Sequence, residues 1–237
     1  MGKRLISQRR GRGTPRYLAP SKKYQGRAAH ISMNKEEVKG EILDLVNCPG
    51  HFAPLAKVKY NNGENCLMIA PEGVKVGDII SAGSKKDVNS GNVMSLKDIP
   101  EGTLIYNIES QPGDGGKFCR TSGTFGRLVS KSESTVTIIL PSKKEKRFCP
   151  DCRANIGIVA GAGRKEKPFL KAGNVYFAKK ARNKLWPSVS GNSMNAVDHP
   201  FGGSKSNSKN KPRQTSKHAP PGRKVGSLSP RRTGVRR

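Results

Sequence analysis

Residues 55–70 read LAKVKYNNGENCLMIA, and this stretch decides the fold class. Ala56, Val58 and Tyr60 alternate with Lys57 and Lys59, the period of two that marks a strand with one buried face. Asn61-Asn62-Gly63-Glu64 follows and is expected to supply the positive-φ residues of a tight hairpin into a second strand over 66–70. Outward from the hairpin, short β-branched runs recur over 41–46, 78–82, 103–108, 126–130, 135–140 and 155–160. In the 135–140 run, Val136, Ile138 and Leu140 share one face. No segment carries a convincing long helical period. Many short strands divided by turn signals predict an all-β chain of barrels or a sandwich rather than a parallel sheet.

Pro71-Glu72-Gly73 is echoed by Pro100-Glu101-Gly102, each followed by a strand. The echo fits two successive units meeting near 84–91, each the size of an OB-fold or SH3-like barrel. The expected organisation is a basic extension over 1–34, an OB-fold-like barrel over 35–84, an SH3-like barrel over 85–160 and a second basic extension over 161–237.

The 237 residues carry 45 Lys and Arg against 17 Asp and Glu, a net charge of +28. Residues 1–30 have a net charge of +9 and no acid, residues 31–159 a net of +2, and residues 160–237 a net of +17 with only Glu166 and Asp198 as acids. A nearly neutral body therefore lies between two basic arms. Arms rich in Gly, Ser, Pro, Lys and Arg bury too little apolar surface to offset their ordering entropy, and are expected to stay extended until a partner supplies counter-charge. One-signed tails of this kind condense on nucleic acid. No apolar run is long enough to span a membrane, and no apolar region follows the basic N-terminus, so neither a membrane nor a secreted protein is expected. Five cysteines, an odd number, suit a reducing compartment.

Cys149-Pro150-Asp151-Cys152 is half of a zinc knuckle, and its only companion of similar spacing is Cys48-Pro49-Gly50-His51. Cys48, His51, Cys149 and Cys152 would make a Cys3His zinc site if the fold brought them together; otherwise no cofactor is expected. Asp198-His199 carries an imidazole suited to general-base work. However, adjacent residues of an extended chain point to opposite sides, and no nucleophile–base–orienter constellation is present, so catalysis by the chain is not expected. Gly161-Ala162-Gly163-Arg164-Lys165 lacks the Gly-Lys-Ser/Thr ending of a phosphate-binding loop, which disfavours nucleotide hydrolysis. Glycine beside Arg and Lys does allow the backbone to approach RNA phosphates closely. Phe169, Tyr176, Phe177 and Trp186 lie among these cations; packing onto a barrel is the favoured role over stacking on bases.

Residues 186–203, WPSVSGNSMNAVDHPFGG, resemble the signature of the universal large-subunit ribosomal protein two family. So do 161–173 (GAGRKEKPFLKAG), 107–116 (NIESQPGDGG), 219–226 (APPGRKVG) and the opening GKRLISQRRGRGTP, all in the family's order. Phe201 and the PPGRKVG tail are similar to the archaeal and eukaryotic branch, with short length leaning archaeal. The resemblance implies an OB-like barrel, then an SH3-like barrel, with both arms threaded into large-subunit rRNA. It further implies a place in the cytoplasmic large subunit near the peptidyl transferase region, among neighbouring ribosomal proteins, with a bridge to small-subunit rRNA and support for subunit association and tRNA binding. Peptide-bond formation would be the work of the RNA. Arg164, Lys165, Lys171, Asn195, Asp198, His199, Arg223 and Lys224 fall on matched motif positions. Arg9, Arg10, Arg12, Arg120, Lys179, Arg182, Arg231 and Arg232 complete the set of expected RNA-binding residues. The chain departs from the family at Ser190 and His51, where Arg is usual, and at Asn192-Ser193, where a small pair is usual. These changes put particular phosphate contacts in question.

Overall fold

The computed structural model describes residues 2–32, 37–83, 88–203 and 213–231. Arg232, residues 84–87 of the expected boundary region and the expected 34/35 boundary lie outside them. The chain divides into two compact units, one of Ser21–Pro168 and the other of residues 1–20 with 169–237.

The unit Ser21–Pro168 is all-β, with OB-like strands leading into SH3-like ones. It holds β1 (Val38–Val46), β2 (Leu55–Tyr60), β3 (Asn65–Ile69), β4 (Ile79–Ala82), β5 (Val93–Ser95), β6 (Leu104–Tyr106), β7 (Gly126–Lys131), β8 (Val136–Ile139), β9 (Glu145–Phe148) and β10 (Arg153–Ile156). They join edge to edge in the order β3-β2-β1-β4-β5-β10-β6-β7-β8-β9. All pairings are antiparallel except β4 with β5, which meet in parallel at Ala82 and Val93. The β2–β3 hairpin has the register Lys59 to Asn65, and its alternation places Val58 and Tyr60 inward with Lys57 and Lys59 outward. Of the turn residues only Gly63 takes a positive φ, at 84°, while the Gly63 N–H donates to Tyr60 O at 2.9 Å. The turn is thus a three-residue loop with one left-handed position, not a pair of left-handed asparagines.

Three apolar clusters hold this unit. Ile42, Val58, Tyr60, Met68 and Ile80 pack with the strands β1–β4, and Ile105, Leu128, Val136, Ile138, Phe148 and Ile156 with the later strands. Leu55, Ile69, Tyr106 and Val159 form the third, where the Tyr106 hydroxyl donates to Ile69 O at 3.0 Å. Residues 27–32 run along this core as a strap, with Ala28 and Ile31 buried. β5 and β9 are strands that the apolar pattern does not reveal; β9 reads EKRF and buries Phe148 alone.

The other unit contains α1 (Ile6–Gly11), α2 (Ala172–Ala181), and a two-stranded parallel pair, β11 (Gln214–Thr215) with β12 (Ser227–Leu228). The described residues of the arms thus include these short elements between stretches without regular structure. Val225 is buried, and the Thr215 hydroxyl donates to Val225 O at 2.6 Å, closing the segment 213–231 on itself. Helix α2 buries none of its residues, which explains why it leaves no apolar period in the sequence. Alanines favour its backbone, and Lys179 and Lys180 in the last turn suit the negative end of the helix dipole.

Candidate nucleic-acid interface

In the unit formed by the two ends of the chain, the stretch 190–203 is a tight loop built on backbone hydrogen bonds. Asn195 O accepts from the N–H groups of Asp198, at 3.0 Å, and His199, at 3.2 Å; Gly202 N donates to His199 O at 2.8 Å and Gly203 N to Met194 O at 3.0 Å. Asp198 does not orient His199. Its carboxylate pairs with Lys3 Nζ at 3.1 Å, and Lys3 N donates to Val197 O at 2.7 Å, so the first residues of the chain clasp the loop. Lys3 was not singled out by the sequence, which gives no sign of this pairing.

The imidazole of His199 is held instead by the N–H of Phe201, which donates to Nδ1 at 3.0 Å. The Phe201 ring lies 5.3 Å from it, centroid to centroid. Burial pulls the His199 pKa below its ordinary value, so the ring is neutral at pH 7 and carries its proton on Nε2. A methyl group built on Gly191 would overlap the His199 ring, so glycine is required there for close approach. The arrangement presents a neutral N–H donor on a fixed loop.

Cations surround this loop in sequence and crowd the same unit. Arg9 and Arg10 lie in the last turn of α1 and Arg12 caps it, all three exposed. Lys171 precedes α2 and is exposed, as is Lys179; Arg182 caps the helix at its C-terminal end and is half-buried. Arg223 ends the single turn Pro221–Arg223 and is half-buried, whereas Lys224 and Arg231 are exposed. Only Glu166 and Asp198 are acidic in residues 160–237, and Lys3 engages Asp198, so the nineteen cations of that segment far outnumber its own acids.

Phe169, Tyr176 and Phe177 are 61%, 44% and 66% exposed, so they are not core residues. For these three the favoured expectation of packing down is corrected, whereas Trp186 is half-buried.

In the sheet unit, Arg164 sits in the single turn Ala162–Lys165, with Lys165 exposed beside it. Its guanidinium carbon lies 3.9 Å from the centroid of the Phe52 ring, which stacks the planar group and leaves its edge for an anion. Arg120 is half-buried and donates from Nη1 to Gly116 O at 2.6 Å and from Nη2 to Ala28 O at 2.7 Å, tying the strap to the 110–116 loop.

The strap has a second tie that charge patterning does not reveal. Glu109 is fully buried and accepts from Arg153 N at 2.8 Å, Arg153 Nη2 at 3.0 Å, and Gly113 N and Gly115 N at 3.2 Å each. Arg153 Nη1 in turn donates to Ile31 O at 2.7 Å. Burial alone would raise the Glu109 pKa, but the hydrogen bonds and charge of Arg153 outweigh it and hold the carboxyl below its ordinary value. His30 lies nearby, with Nε2 2.8 Å from Asn107 O, and burial pulls its pKa down to about 4.

The cysteines do not assemble. Cys48 Sγ is 3.3 Å from His51 Nδ1, while Cys149 and Cys152 share a turn in which Cys152 N donates to Cys149 O at 3.1 Å. Cys152 is buried, and burial pushes its thiol up to about 11. Among the described residues no three His, Cys, Asp or Glu side chains are grouped as a metal ion requires, so the four proposed ligands form two separate pairs.

Two sequence profiles match the chain. Residues 4–82 match Ribosomal Proteins L2, RNA binding N-terminal domain, and residues 89–220 match Ribosomal Proteins L2, C-terminal domain. The large ribosomal subunit protein uL2 of Archaeoglobus fulgidus is 51% identical over 237 residues, covering all of both chains. That of Methanothermobacter thermautotrophicus is 50% identical over 241 aligned positions, again covering both chains in full. That of Natronomonas pharaonis is 47% identical, over 99% of this chain and 97% of the relative.

Proposed function

Since this chain belongs to the L2 (uL2) family of ribosomal proteins, we propose that it is a primary rRNA-binding constituent of the large ribosomal subunit in the cytoplasm. Its place there is near the peptidyl transferase centre, among neighbouring large-subunit proteins. It supports subunit association, through a bridge to small-subunit rRNA, as well as tRNA binding. Peptide bonds are made by the RNA. The observation that carries this reading is the loop 190–203, where a neutral His199 is fixed by backbone hydrogen bonds inside a unit whose cations have few acids to pair with.

Mechanistically, the cations of the two ends replace the counter-ions of the RNA phosphates, which supplies affinity. The sheet unit fixes register on folded RNA, and Arg164, held flat by Phe52, offers a paired donor edge to a phosphate. The His199 N–H donates to a phosphate or a 2′-hydroxyl and performs no chemistry of its own. Among the described residues no helix is long and apolar enough to cross a membrane.

The test is the salt dependence of rRNA binding. Removing residues 204–237 should weaken binding and flatten the slope of log affinity against log salt; an unchanged slope would refute the role of the arm. A rival reading makes His199 a general base in acyl transfer. RNA-free protein that formed peptide bonds, and lost that activity on His199→Ala, would establish the rival. Sedimentation separates an assembly component, which stays with large subunits through a high-salt wash, from a free nucleic-acid-binding factor.

A further inference from the structure

Helix α2 carries Tyr176, Lys179 and Lys180 at spacings of three and four residues, which places them on one stripe of the helix, and Asn183 follows two residues past its end. The Asn183 amide donates to Pro15 O at 2.7 Å and Leu18 O at 2.6 Å, so residues 15–18 are pinned against this stripe. Between them opens a cavity of about 130 Å³, to which Arg16, Tyr176, Lys179, Lys180, Lys184 and Trp186 contribute walls. No acidic residue lines it. Tyr176 remains 44% exposed and Lys180 Nζ stands 5.7 Å from its ring centroid.

The ring of Tyr176, left open to solvent beside the half-buried Trp186, with four cations around them and no acid, fits a ligand that has both a flat π-face and a negative charge. An unpaired nucleotide has both, one on its base and one on its phosphate. An acidic peptide would meet the cations but leave the rings uncovered.

We propose that this cavity receives the base of one unpaired rRNA nucleotide, stacked on Tyr176 and Trp186, with the adjoining phosphate held by Arg16 and the lysines. The proposal rests on the rRNA-binding reading above and adds where on the chain a base is captured. Asn183 is a positioning residue, since it acts by holding residues 15–18 in place.

Trp186 is the only tryptophan of the chain, so its emission reports the cavity directly. Full-length protein is titrated with its large-subunit rRNA while binding is followed separately by filter retention. Trp186 emission should fall as RNA binds. Tyr176→Leu, at an exposed helix position that leucine tolerates, should weaken binding about tenfold without changing the salt slope. Tyr176→Phe should restore it. Lys179→Gln should instead lower the slope by about 0.7. If the wild-type chain does not bind rRNA, this inference falls together with the functional reading. If it binds, but emission is unchanged or Tyr176→Leu keeps full affinity, the nucleotide cavity alone is refuted. Equal quenching by a polyglutamate peptide would likewise overturn it.

Discussion

Gly191 lies beneath the imidazole of His199, too close for any side chain to stand between the loop backbone and the ring. The loop thus fixes the ring from two sides, by this close approach and by the Phe201 N–H on Nδ1. Gly191→Ala should push the ring out of place without unfolding the chain, because the position is only half-buried. The expected result is a loss of about fivefold in rRNA affinity, on the order of one hydrogen bond (~1 kcal/mol), measured by filter binding at fixed salt. Unchanged affinity would remove His199 from the interface.

Phe52 should matter through Arg164. Phe52→Leu removes the ring under the guanidinium and should weaken rRNA binding about threefold, in line with the ~0.5–1 kcal/mol of an exposed cation–π pair. Phe52→Tyr should bind as the original does. The stacking idea fails if leucine and tyrosine behave alike.

Glu109 and Arg153 form a buried pair, so removing one partner strands the other. Glu109→Gln should cost on the order of 3 kcal/mol of stability, seen as a lowered urea midpoint. The double variant Glu109→Gln with Arg153→Met should recover part of that loss. The strap over residues 27–32 should show faster amide exchange in the single variant, because Arg153 also holds Ile31 O.

Acidification should attack the same region through His30. The folded pKa of this group, about 4, lies below its ordinary value of 6.5. Its contribution to stability is therefore complete above pH 6.5 and is lost as the pH falls toward 4, where the unfolded chain binds the proton that the folded chain refuses. The charged groups facing His30 act in opposite senses, Glu109 favouring the proton and Arg153 and Arg120 opposing it. His30→Gln should flatten the dependence of the thermal midpoint on pH between 6.5 and 4. An identical pH profile for the variant would assign the effect elsewhere.

What could be read in the sequence follows from what each residue faces. The alternation in Leu55–Tyr60 was legible because one face meets the core and the other meets water. The strand Glu145–Phe148 was not, since a single Phe148 carries its inward face. Helix α2 escaped notice for a related reason: periodicity records a buried stripe, and this helix has no buried residue. The failure of Asp198 to orient His199 was legible from simple chain geometry, although the partner it takes, Lys3, was not. The pairing of Glu109 with Arg153 joins positions 44 apart, and nothing local distinguishes these two residues from solvated charges. The basic composition of the tail concealed the few residues, Thr215 and Val225 among them, that give the segment 213–231 a fold.

The pairing of Lys3 with Asp198 has a consequence for the order of events during synthesis. Lys3 is made before Asp198 and must wait, unclasped, until the 194 residues between them have been added. By then the whole of Ser21–Pro168 has been translated and can already have folded. A nascent chain can therefore finish its β-sheet while the cations of residues 1–30 are still unclasped, so the basic N-terminal arm is free to meet RNA before the unit it belongs to is assembled.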